Sequence, residues 1–169
     1  MREPCHARSF VVLYAFLKAF HLLAVIVWLG GMAFTLFCLR PAARALEPAA
    51  RVVLMHAAMR RFITVVAIAA AVIVASGAAM IGIAWSAAAR AGLAFNMPLD
   101  WYAMVAIFFA MLVVFIHIRN VLFGRLDAAV AEARWPDGAA VLGLMRWEVS
   151  LNLVLGIFVV FFVRLGGTA

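Results

Sequence analysis

The stretch Leu17-Lys18-Ala19-Phe20-His21-Leu22-Leu23-Ala24-Val25-Ile26-Val27-Trp28-Leu29-Gly30-Gly31-Met32 carries two ionisable side chains inside an apolar run that extends from Phe10 to Leu39. A helix needs about 20 apolar residues to cross the hydrocarbon of a bilayer, so this segment alone selects a membrane environment. Lys18, His21, Val25, Trp28 and Met32 recur at three- and four-residue steps and therefore share one helical face. Lys18 is near enough to the outer end to extend its ammonium to the surface. His21 is too deep for that. Ionisable residues within a span are costly, usually face the bundle interior and are functional candidates by default. A hydrogen bond to a neighbouring helix is the plainer expectation for His21, and a ligand role the sharper one.

Three further apolar segments follow, Phe62–Trp85, Leu99–Phe123 and Trp147–Val163. Lipid offers no partners to backbone amides, so spanning segments must be helices or a closed barrel, and the alternating pattern of a barrel is absent. The expected fold class is all-α, an integral membrane four-helix bundle. Residues 1–169 would form a single four-span transmembrane domain, with spans at about 10–39, 62–85, 99–123 and 147–163. Composition agrees: 70% of the residues are hydrophobic and 12% charged, about half the charged fraction of a soluble domain. The first segment is longer than a crossing needs and should tilt or protrude. The second contains Ala75-Ser76-Gly77-Ala78-Ala79. Small residues let backbones approach closely in lipid, so this helix should be the tightly packed one. The N-terminal stretch lacks a clear cleavage signal and reads as a retained span. Cys5 and Cys38 lie at opposite ends of the first segment, which argues against an internal disulfide.

The net charge of +7 is dispersed, with no run of five basic residues, which argues against nucleic acid as a partner. Arg40, Arg44, Arg51, Arg60 and Arg61 lie between spans one and two, and Arg119, Arg125, Arg134 and Arg146 between spans three and four. Only Arg2, Arg8, Arg90 and Arg164 lie on the other side. The positive-inside rule then puts both large loops in the cytoplasm and both termini outside, as for a multi-pass protein of a bacterial-type inner membrane with periplasmic ends. Pro48 opens a breaker-free stretch to Arg61, so the second helix should begin early and project into water. Leu126 to Ala133 should extend the third helix, up to a turn at Trp135-Pro136-Asp137-Gly138.

The Leu17–Met32 segment resembles the first-helix signature of the copper-resistance protein D (CopD) family and is similar to the opening of HemJ-type four-helix membrane proteins. The likeness continues in Arg60-Arg61-Phe62, in the small-residue helix ending near Ser76-Gly77, and in Arg146-x-Glu148 at the last helix. The Trp28-Leu29-Gly30-Gly31 run and Glu148 point to the copper family, and the chain length to the HemJ type. The first resemblance implies copper uptake or tolerance, and the second a bound b-type heme.

Depth along the helices sorts the candidate residues. His21 lies roughly 28 Å above Arg40 at 1.5 Å per residue, and His117 at most roughly 12 Å above its own marker, Arg125. A difference of something like 16 Å makes them a poor pair of axial ligands for one heme. The outer layer holds His21, Met80 and Met104, a set suited to Cu(I) because soft sulfur ligands favour that ion, although methionines commonly only fill gaps. The inner layer holds Met55, His56, Met59, His117, Arg119, Trp147, Glu148 and Asn152. Met55, His56 and Met59 could hook a soft metal on one helix, or simply belong to an amphipathic surface helix. Glu148 should pair with Arg119, Arg60 or Arg61. His117 could serve as a proton carrier or heme ligand.

Phosphate loops, His-Glu-x-x-His and Cys-x-x-Cys motifs and paired intramembrane carboxylates are missing, so catalysis is not the expectation. The leading expectation is a copper-handling inner-membrane protein with copper at His21, helped by Met80 or Met104, and an exit site at Met55 and His56. The alternatives are a heme-b redox protein using His21 or His117 with quinone as electron partner, and a non-catalytic helper. The last would stabilise another membrane complex through the small-residue face of the second helix, and a homo-oligomer or membrane complex is the expected assembly.

Overall fold

The structure, a computed structural model, describes the backbone of residues 4–166 and the side chains of residues 10–163. Cys5 and the terminal basic residues Arg2, Arg8 and Arg164 fall outside the described side chains. The described chain is helical almost throughout: α1 (Pro4–Phe34), α2 (Arg40–Ala43), α3 (Pro48–Arg90), α4 (Leu99–His117), α5 (Phe123–Ala131) and α6 (Trp135–Gly166). Two π-helical turns, Thr35–Leu39 and Ile118–Leu122, join α1 to α2 and α4 to α5 without breaking the rods. Among the described residues, four helical stretches are long and apolar enough to cross a membrane: Phe10–Ala43, Pro48–Arg90, Leu99–Ala131 and Trp135–Val163. The chain is an all-α four-helix protein, as its composition requires.

Local chemistry explains the boundaries. Pro48 starts α3 because the first turn needs no proline N–H, and the Glu47 carbonyl accepts the first amide bond, from Arg51, at 2.9 Å. Pro41 has no N–H for the carbonyl four residues back, and the widened turn Thr35–Leu39 lies just before it. Thr35 Oγ1 also donates to the Gly31 carbonyl at 2.8 Å. The third helix continues beyond its span through α5 to Ala131, close to the expected extension.

One boundary differs. Trp135-Pro136-Asp137-Gly138 is the first turn of α6 and not a loop. Proline is at home there, and Asp137 complements the helix dipole. The reversal falls instead at Glu132–Arg134, where Ala133 adopts φ 54° and Arg134 is clasped by Glu132 at 2.7 Å and by Asp137. Gly138 is small for packing: a Cβ there would stand 2.9 Å from Val52 Cγ1. Composition suggested a turn, but capping and close approach decided for a helix.

The chain divides into two compact units, one of residues up to 28 with 66–97, the other of 29–65 with residues from 98 onward. In the first, Ala24, Trp28, Ala69, Ala70, Ile73 and Ser76 are buried. At its end Arg90 stacks over the Phe10 ring at 4.9 Å. In the second, α6 packs along α4 and α5, with Met111, Phe115, Leu126, Val141, Met145 and Val149 in the core. The α3 span is the most buried of the four, as its small residues require. Every span also presents large apolar side chains outward, Leu22, Ile68, Val113 and Phe161 among them. Contiguous apolar surface of this kind is stable against lipid and a liability in water.

Candidate functional site

His21 in α1 is half-buried, and its Nδ1 lies 2.9 Å from Ser76 Oγ in α3. Ser76 is buried, and its hydroxyl donates to the Val72 carbonyl one turn back at 2.5 Å. With the serine proton spent on that carbonyl, Oγ is the acceptor and His21 Nδ1–H the donor. The neutral ring then keeps Nε2 unprotonated, the tautomer that a metal takes. Space for the ring comes from Gly77: a Cβ at that position would sit 3.4 Å from His21 Cε1. The small-residue run thus accounts for both close approach and the ring's partner. Met80 follows Ser76 by one helical turn on the same face and is half-buried. Met104, in α4, is half-buried and belongs to the second unit.

The second unit holds two other histidines in different bonding states. His117, at the end of α4, sets Nδ1 2.9 Å from Glu148 Oε2 and 2.8 Å from Oε1. Its Nε2 has no hydrogen-bond partner among the described residues. The partner of Glu148 is therefore His117 and not Arg119, Arg60 or Arg61. Glu148 projects from the α6 face toward α4, where His117 is within hydrogen-bond reach. Arg60 instead donates to Asp127 at 2.8 Å. His56 spends Nε2 on the same Asp127 oxygen, also at 2.8 Å, and stacks on Phe123 with ring centroids 5.3 Å apart. Hydrogen bonds from His56 and Arg60 hold the Asp127 carboxyl below the usual carboxylate range. Met55 and Met59 are buried in the core. The inner Met55, His56 and Met59 set is thus occupied with packing and a carboxylate.

One turn beyond Glu148, buried Asn152 donates from Nδ2 to the Met111 carbonyl at 3.1 Å. Its Oδ1 is the one fully buried side-chain acceptor without a partner among the described residues. Among these residues no group of three or more His, Cys, Asp or Glu side chains gathers as a metal cluster.

Sequence reasoning singled out His21, Met80, His117 and Glu148, yet missed the two contacts that define the histidines, Ser76 and the His117–Glu148 pair. Ser76 had a visible signal, a lone hydroxyl in an otherwise aliphatic small-residue run. Asp127 had another, the one acid in the extension of the third helix before Glu132.

Fold and site together define a multi-pass helical membrane protein with two oriented histidines. No family model, curated protein or solved structure matches the chain.

Proposed function

We propose that this chain handles copper in a membrane, in uptake or tolerance, by holding Cu(I) transiently at His21. The observation that carries the reading is the Nδ1–H bond to Ser76, which orients an intramembrane imidazole and reserves Nε2 for a ligand. Metal-bound histidines characteristically donate their other ring N–H in this way. Met80, one turn from Ser76, is the nearest thioether in sequence on that face. Sulfur beside imidazole suits Cu(I). In this reading the chain lies in a bacterial-type inner membrane with both termini outside, following the arginine distribution.

A heme-b redox protein is the second reading, favoured by His117. A carboxylate-bonded imidazole is a basic axial ligand, and the Glu148 oxygens bracket its Nδ1.

The two separate in one preparation. Detergent-purified protein that is colourless, binds one Cu(I) per chain against a chromophoric chelator and loses at least about tenfold affinity in His21→Ala supports copper. A Soret band abolished by His117→Ala or His21→Ala supports heme instead. Unchanged Cu(I) affinity in His21→Ala sinks the copper reading.

A further inference from the structure

The cationic end of the second unit is unevenly neutralised. Arg60 has Asp127, and Arg134 has Glu132 and Asp137. Among the described residues Arg40 has no carboxylate partner. Its half-buried guanidinium donates from Nη2 to the Leu142 carbonyl in α6. That carbonyl lies one turn before Arg146, whose own backbone amide is its helical donor, so Arg40 is held within about one helical turn, roughly 5 Å, of the Arg146 backbone. Arg44 follows Arg40 by four residues, at the end of α2. The charges that bear most on Arg40 are those of Arg146 and Arg44. Three like charges, one of them half-buried, are costly to hold together without a counter-ion. Arg44 and Arg146 are exposed, with their guanidinium donors free among the described residues.

We propose that Arg40, Arg44 and Arg146 form a binding site for a phosphate-bearing anion at the arginine-rich end of the first and last spans. Planar guanidinium forks match phosphate oxygens in pairs, with geometry that an ammonium cannot supply. Basic pockets between spans at the cytoplasmic face characteristically take anionic lipid headgroups. A phosphodiester headgroup and free phosphate share this chemistry. The site is independent of the copper reading and does not involve His21.

The test uses full-length protein in neutral detergent, titrated with cardiolipin, with phosphatidylcholine, or with inorganic phosphate, and read by native mass spectrometry and by the shift in melting temperature. Arg146→Gln and Arg44→Gln remove exposed side chains without a protein partner, so the fold is retained. Each should weaken cardiolipin binding about tenfold, in keeping with one lost charge-assisted contact. The control Arg61→Gln, at an exposed arginine elsewhere in the second unit, should leave it unchanged. Arg146→Lys keeps the charge without the fork and should bind less well than the parent. Response to cardiolipin alone assigns the site to lipid, and an equal response to inorganic phosphate assigns it to a soluble ligand. Equal binding of phosphatidylcholine, or equal loss in Arg61→Gln and Arg146→Gln, overturns the proposal, as does no response to either anion.

Discussion

At the residue scale, the molecule's chemistry turns on which ring nitrogen each histidine has left. His21 and His117 both spend Nδ1 on a neighbouring helix, whereas His56 spends Nε2 on Asp127. The first two are the residues that the copper and heme readings use, and the third is a structural clasp. Ser76 sets the His21 tautomer, so Ser76→Ala should leave the helices folded and lower Cu(I) affinity roughly ten- to a hundredfold, the usual cost of losing an orienting partner. Ser76→Thr keeps the hydroxyl and should restore most of that affinity. A chelator-competition titration of the three proteins checks this, and equal affinities would remove Ser76 from the site. The paired glycines of the first helix divide at the same scale. A Cβ on Gly31 would stand 2.4 Å from the Phe62 ring, while Gly30 has open space. At least half of that motif is thus explained by packing.

At the scale of elements, the span positions were legible because apolar length is a strong signal, and the early start of α3 because Pro48 is an N-terminal residue by its geometry. The start of α6 was not. Pro136-Asp137-Gly138 has the composition of a turn, and only the Arg134 clasp and the approach of Val52 to Gly138 select a helix. The His117–Glu148 pair was hidden for a related reason, since charge alone favours arginine as the partner and only rotation about α4 and α6 decides. Between α3 and α5, Asp127 joins His56 and Arg60. Its folded carboxyl sits below an unfolded value of about 3.9. The contribution of the contact to stability is therefore complete above that value and lost as pH falls through the folded one. The parent should melt slightly above Asp127→Asn at neutral pH, by a few degrees at most for so exposed a contact. That gap should close below about pH 4. A gap that stays constant to pH 3 would show that the carboxylate charge does not stabilise this contact.

At the scale of the whole molecule, two distributions bear on function. Large apolar side chains face outward along all four spans, so the surroundings of the bundle are lipid or another membrane protein. Nine arginines fall between Arg40 and Arg61 or between Arg119 and Arg146, in helix ends and the two short turns that join them, and Arg90, at the end of α3, stacks on Phe10. Translocating arginine-rich segments is disfavoured, and the difference of nine against four arginines is the basis of the proposed orientation with both termini outside. Alkaline phosphatase, active only outside the cytoplasm, should be active when fused after Gly92 and inactive when fused after Ala45 or Ala133, with a fluorescent protein folding at the complementary points. In the proposed orientation the His21 end of the first span would lie toward the outside, where an incoming metal would meet it, and Arg40, Arg44 and Arg146 would lie against the anionic inner leaflet. Phosphatase activity at Ala45 and Ala133 would invert the bundle. His21 would then face the cytoplasm, and the copper reading would have to become one of export or of cytoplasmic loading.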